Sequence, residues 1–188
     1  MTTKSQLEAM ARSSGNMRMD HIAYRVEKRD AAVYFLRRAL SYSIAEEFEI
    51  EFDDGSVAKC NALTQQPAEA VNTSQWKLDQ RHLPPEIFVS EGTEGSIVDE
   101  WVKERNGGGV HHIAYQVHDI EAVVEAWKQL GVEFVSESII DCPDDNLRQI
   151  FTKPLEVLGG IIIELIERGD KGFCTKSVKN LMNSTKGL

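Results

Sequence analysis

The stretch HIAYRV at residues 21–26 returns as HIAYQV at residues 112–117, 91 positions later. A repeat of this kind decides more about a fold than any local propensity. The interval is about half of the 188-residue chain, too long for a solenoid period and right for two copies of a small module. Working outward from each copy, the same order of elements follows. Met19 to Val26 alternates as a strand, with His21, Ala23 and Arg25 on one face and Ile22, Tyr24 and Val26 on the other. A helix follows over AAVYFLRRAL, with Asp30 expected as its N-cap. SIAEEFEIEF, SVAKCNALT and PPEIFVSEG then read as strands, the last opened by two prolines that suit an edge or a strand start. SIVDEWVKERNGGG reads as a connecting helix stopped by glycines, which we take as a hinge.

The pattern then restarts. VHHIAYQV is a strand, and HDIEAVVEAWKQLG is a helix capped by Asp119 and ended before Gly131. VEFVSESII, NLRQIFTKP and GGIIIELIER complete the second unit as strands. The expectation is an α+β fold with a strand–helix–strand–strand–strand order used twice. Its parts are an N-terminal extension (1–17), a first module with connecting helix (18–105), a second module (106–170) and a tail ending in a short helix (171–188). Residues 65–82 are polar and irregular and read as a loop.

Bulk properties narrow the function classes. A net charge of −9 argues against nucleic acid and against an anionic membrane surface as partners. No apolar run approaches the length needed to span a bilayer, and the first residues lack the apolar core of a secretory signal. Cys60, Cys142 and Cys174 are odd in number and far apart, so they read as separate thiols in a reducing compartment, with the cytoplasm as expected location.

The chemistry sits on the repeat. Each module opens with a histidine strand, and each closes with a strand carrying a glutamate, Glu86 in the first and Glu164 in the second. Glu164 follows three isoleucines, and a carboxylate in such a strand is costly unless paired or bound to something. Imidazole and carboxylate together suit a divalent transition metal. The candidate ligands are therefore His21, Glu86, His112 and Glu164, with Glu86 the weakest because it follows Pro84-Pro85. The pleat should send His111 to the face opposite His112. The ordinary alternative is that these histidines are hydrogen-bonded core residues. His82 and His118 read as surface residues, Glu47, Glu49 and Glu51 as a solvated face, and Trp76, Trp101 and Trp127 as packing residues.

DHIAYRV, GGGVHHIAYQVHDIEAVVEAWKQLG and IIIELIER resemble the vicinal oxygen chelate superfamily over nearly the whole chain. The resemblance implies paired βαβββ modules that form a cupped mixed sheet around one divalent metal. LRQIFTKP followed by IIIELIERGDKGF resembles the catalytic C-terminal half of the 4-hydroxyphenylpyruvate dioxygenase family. That likeness implies His21, His112 and Glu164 as ligands of Fe(II), with Mn, Co, Ni or Zn as alternatives. It also implies Gln149 as a substrate-facing catalytic residue and a closing helix over 173–184; Phe173 would cover the site if the tail folds back. The glycine-rich opening of that helix is replaced here by Cys174-Thr175-Lys176-Ser177-Val178. A carboxylate at Glu86 resembles instead glyoxalase I and methylmalonyl-CoA epimerase, which use four ligands; in that reading Glu86 ligates the metal or moves a proton. The expected function is a metal-dependent enzyme on a small 2-oxo-acid-like substrate, dioxygenase-like. The alternatives are an isomerase or lyase, and a metal-free module that binds a small molecule. Superfamily members often pair, so a homodimer is also expected.

Overall fold

A computed structural model describes residues 17–65 and 84–188. The expected extension over 1–17 lies almost wholly outside these residues, as do the loop at 65–82, His82 and Trp76. Eight strands form one mixed sheet: β1 (Arg18–Val26), β2 (Ser43–Glu51), β3 (Val57–Thr64), β4 (Glu86–Gly92), β5 (Gly108–Gln116), β6 (Ile140–Asp141), β7 (Arg148–Phe151) and β8 (Ile162–Glu167). Among the described residues four α-helices accompany them: α1 (Arg29–Ala39), α2 (Ile97–Glu104), α3 (Ile120–Gln129) and α4 (Thr175–Ser184).

The sheet order β2-β3-β4-β1-β5-β8-β7-β6 makes the duplication visible. From the central antiparallel pair β1–β5, each half runs outward through a parallel neighbour (β4 or β8) and then two antiparallel strands. The two repeated hexapeptides are thus the two strands that join the halves. Alternation sorts each strand between two faces. On the outer face, Ile87 and Val89 of β4 pack with Val33 of α1, and Ile150 and Leu165 pack with Val123 and Val124 of α3. On the inner face, Ala23, Phe88, Ile50 and Cys60 pack with Trp101 of α2 and with Val178 and Met182 of α4. The tail helix therefore lies across the inside of the curled sheet.

Several local expectations change. Helix α1 begins at Arg29 with Lys28 at its N-cap, and Asp30 sits in the first turn without making a capping bond. The strand expected over VEFVSESII shrinks to Ile140–Asp141 and one isolated bridge at Phe134, because β7 offers only four residues to pair with. The glycine triplet is not a free hinge, since Gly108 and Gly109 already belong to β5. Gly108 holds φ +97°, and a Cβ there would meet the Arg25 carbonyl oxygen at 2.1 Å, so this close crossing of β1 and β5 requires glycine. Asp119 caps α3 as expected, accepting from the Ala122 N–H at 3.0 Å.

The reading of three separate thiols also fails. Cys142, beyond β6, pairs with Cys174, the N-cap of α4, in a disulfide. The two are 32 residues apart, and only the return of the tail over the sheet brings them together. Cys60 stays a buried thiol, pushed up to about 12 by its burial. Free thiols were the ground for expecting a reducing compartment, so the pairing withdraws that support.

Candidate metal centre

Three side chains from three neighbouring strands meet inside the cup. His21 projects from β1, His112 from β5 and Glu164 from β8, all buried. The Nε2 atoms of the two histidines are 3.2 Å apart. Glu164 Oε2 lies 3.0 Å from His112 Nε2 and 3.3 Å from His21 Nε2. The ligating atoms of all three fall within 4.8 Å of one another. No hydrogen bond of acceptable geometry reaches Glu164 Oε2 among the described residues, although the atom is buried. A carboxylate oxygen orphaned between two imidazole nitrogens is the arrangement a cation satisfies, and the donor set suits a divalent transition metal.

A second layer fixes these three. His21 Nδ1 donates to Asp20 Oδ1 at 2.8 Å, which turns Nε2 toward the centre, where it offers a lone pair once its proton is released. Gln149 Nε2 donates to Glu164 Oε1 at 2.7 Å, and Ser177 Oγ of α4 donates to Gln149 Oε1 at 3.1 Å. Gln149 therefore borders the cup as expected, and its amide is engaged with Glu164. His112 Nδ1 lies 2.8 Å from His111 Nδ1.

That last contact overturns the expected orientation of His111. In β5, Ala23 pairs with His112 while Tyr24 pairs with Val110, so His111 is an extra residue in the ladder. A β-bulge breaks the alternation, and both histidines face inward. The positive-φ glycines just before it supply the required backbone.

Charge follows geometry. Burial acts to lower the His21 imidazole, but the Glu164 carboxylate and the bond to Asp20 outweigh it and raise it to about 9. His112 is lowered to about 4, mainly by burial. Burial would raise Glu164, yet the neighbouring His21 charge holds it well below the usual carboxylate range. Without a cation the trio thus carries one proton, on His21, against an ionised Glu164.

Glu86 stands apart from the trio. In β1–β4 it pairs with His21, whereas in β5–β8 Glu164 pairs with Ala114, two residues beyond His112. The true counterpart of Glu164 in the first module is Phe88, which pairs with Ala23. The expected alignment of Glu86 with Glu164 is therefore displaced by two residues. The Glu86 carboxylate instead accepts from Arg168 Nη2 at 2.9 Å, and the same guanidinium holds Asp20. Asp20 and Arg168 were not singled out from the sequence, although Asp20 directly precedes the repeated histidine.

A narrow cavity of about 30 Å³ opens on the trio. Phe173 closes it from the tail, with its ring 5.3 Å from that of His21 and 5.2 Å from that of Phe88. Phe151 backs His112 at 4.6 Å, and Val178, Leu181 and Met182 of α4 form the roof. Glu47, Glu49 and Glu51 are exposed on β2, and His118 is exposed as expected. Trp101 packs in the core, and Trp127 packs beside it on the outer cluster. No helix among the described residues is long and apolar enough to cross a membrane.

Comparison with known proteins agrees with this picture. The 4-hydroxyphenylpyruvate dioxygenase of Pseudomonas aeruginosa is 26% identical over 205 residues, covering 92% of this chain and 52% of that protein. The chain thus spans about half the length of that relative, and 31% of the enzyme of the same name from Pyricularia oryzae, to which it is 27% identical. Among solved structures, a mutant of 4-hydroxymandelate synthase from Streptomyces coelicolor superposes with a TM-score of 0.72 over 91% of this chain and 54% of its own. At 19% identity that likeness concerns the fold. Methylmalonyl-CoA epimerase from Mycobacterium tuberculosis superposes with a TM-score of 0.55 at 25% identity, over 79% of this chain and 86% of its own. The family model of the Glyoxalase/Bleomycin resistance protein/Dioxygenase superfamily matches residues 19–148. That match spans more than half of the sequence, and the chain belongs to this superfamily.

Proposed function

We propose that the protein is a metal-dependent enzyme that takes a small 2-oxo acid at the His21–His112–Glu164 centre and acts on it as a dioxygenase. The observation that carries this reading is the three-residue donor set, together with a Glu86 carboxylate already engaged by Arg168. Two imidazoles and one carboxylate are the donor set of non-haem iron oxygenases, and a metal held by them would keep positions open to other groups. Fe(II) bound there supplies the redox chemistry that couples oxidation of a 2-oxo acid to reduction of dioxygen.

The chain's own residues prepare the centre and shield it. Asp20 fixes the His21 tautomer, and Gln149 fixes the Glu164 carboxylate by holding its second oxygen. Phe88, Phe151 and Phe173 keep water from the ligands and give the substrate an apolar wall. Helix α4, bonded to Gln149 through Ser177, places that wall and must shift to admit a substrate.

A second reading is favoured by one observation. Glu86 is the register partner of His21 and its side chain is 39% exposed, so release from Arg168 would free a second carboxylate, and a fourth ligand, at the rim. With four ligands the site suits proton transfer at a substrate carbon, the chemistry of an isomerase or lyase. Oxygen uptake by the Fe(II)-loaded protein with a panel of 2-oxo acids is the test. Uptake that requires both metal and acid supports the dioxygenase. Solvent deuterium entering the substrate without oxygen uptake supports the second reading and overturns the first.

A further inference from the structure

Arg25 lies on the same face of β1 as His21 and is 3% exposed, yet no carboxylate among the described residues pairs with it. Its Nη2 donates to Thr185 Oγ1 at 3.0 Å, and its guanidinium rests 5.7 Å from the Trp101 ring. Its Nη1 is buried with no hydrogen-bond partner among the described residues. The nearest other charge makes matters worse, since Arg105 stacks on the same Trp101 at 4.2 Å. A buried cation beside a second cation is expensive unless something anionic joins it.

Two neighbours share the predicament. His111 Nε2 is also buried without a partner. With His112 Nε2 committed to the metal, His112 Nδ1 carries the hydrogen and donates to His111 Nδ1, so His111 must carry its own hydrogen on the orphan Nε2. Ser90 is buried, pairs with Arg25 across β1–β4, and its hydroxyl makes only a long contact of 3.4 Å with the Tyr24 carbonyl oxygen. Arg25, His111 and Ser90 all line the cavity that contains the metal centre. Arg25 lies four steps along the strand from His21, roughly 13 Å at the level of the backbone.

We infer that Arg25, with His111 and Ser90 beside it, forms an anion subsite that takes the distal carboxylate of a two-headed substrate, a 2-oxo dicarboxylic acid. This rests on the metal-dependent reading above and narrows its substrate class. One end of the molecule meets the trio, and the other end satisfies the donors that the protein leaves unpartnered. The closed cavity of about 30 Å³ admits such a diacid once α4 shifts, the same movement that any substrate of the centre requires.

Calorimetric titration of the Mn(II)-loaded full chain tests this with length-matched pairs: 2-oxoglutarate against 2-oxopentanoate, and 2-oxoadipate against 2-oxohexanoate. The diacid of at least one pair should bind about tenfold more tightly or better, the size of one charge-assisted hydrogen bond. Arg25→Gln should bring that ratio close to one, and Arg25→Lys should retain part of it. Equal affinities within both pairs in the unaltered protein, a comparison that needs no variant, would overturn the subsite. So would a diacid preference that survives Arg25→Gln. Glutarate, which lacks the 2-oxo group, separates the two layers of the argument. If glutarate and 2-oxoglutarate bind alike with and without Mn(II), and both need Arg25, the subsite stands and the metal reading falls. If both acids of each pair bind equally and only with Mn(II), the metal reading stands and the subsite falls.

Discussion

Arg168 is the keystone of the rim, and its removal makes a quantitative test. Its guanidinium holds Asp20, whose side chain is only 4% exposed, and Glu86, whose side chain is 39% exposed. Arg168→Leu keeps the side-chain volume near the Phe173 ring but leaves the Asp20 carboxylate with His21 alone. Breaking a buried pair by removing one partner costs about 3–5 kcal/mol, and because His21 still holds one oxygen we expect the lower end, about 3 kcal/mol. The exposed Glu86 contact adds under ~1 kcal/mol, since solvent screens it. For a domain of this size that is a fall in Tm of roughly 6–12 °C. Urea denaturation of chelator-treated protein measures it, and a double-mutant cycle with Asp20→Asn isolates the pair. In the Asp20→Asn background the same replacement should cost only about 1 kcal/mol. A loss below about 1 kcal/mol in the unaltered background, or an equal loss in both backgrounds, would refute the argument that Arg168 holds the carboxylate behind His21.

Further outcomes follow from the centre and the tail. His21 is raised to about 9, so the metal-free protein carries its proton at pH 7.5 and must release it on binding metal. Calorimetry in buffers of different ionisation enthalpy should show close to one proton released, declining as pH rises past 9; a signal independent of buffer would contradict this. The sign for stability is the reverse of a carboxylate's: the contribution of His21 to the metal-free fold is full below 6.5, its unfolded value, and is lost as pH rises through about 9. The Cys142–Cys174 bond closes a span of 32 residues, for which loop entropy predicts roughly 3–4 kcal/mol. Reductant, or Cys142→Ser, should lower the urea midpoint accordingly, and unchanged midpoints would show that the bond does not form.

How much of this was legible in the sequence varies with the length scale. The repeated hexapeptide placed β1 and β5 correctly, because strands of one duplicated unit keep the same face inward, and it delivered His21 and His112. Glu164 was legible from its cost, a carboxylate after three isoleucines. Glu86 was matched to it by residue type, and only the pairing of Ala23 with Phe88 and Ala114 with Glu164 exposes the two-residue displacement. Strand register is set by pairing across the whole sheet, which periodicity within one strand does not count. His111 was misplaced for a related reason, since alternation assumes an unbroken ladder; three glycines before two histidines were the available hint of a bulge. Pairing of Cys142 with Cys174 depends on where the tail returns, a long-range matter. Arg25 was correctly set on the face of His21, but its lack of a partner is a property of the packed cup and has no signature in the chain.

The central claim is that one divalent cation is held by His21, His112 and Glu164 while Arg168 keeps Glu86 away. Anomalous diffraction from crystals of the Mn(II)- or Fe(II)-loaded protein tests it most directly. The expected result is a single peak touched by two imidazole Nε2 atoms and the Glu164 carboxylate, with Glu86 still on Arg168. A peak elsewhere, or a fourth contact from the Glu86 carboxylate, would contradict it.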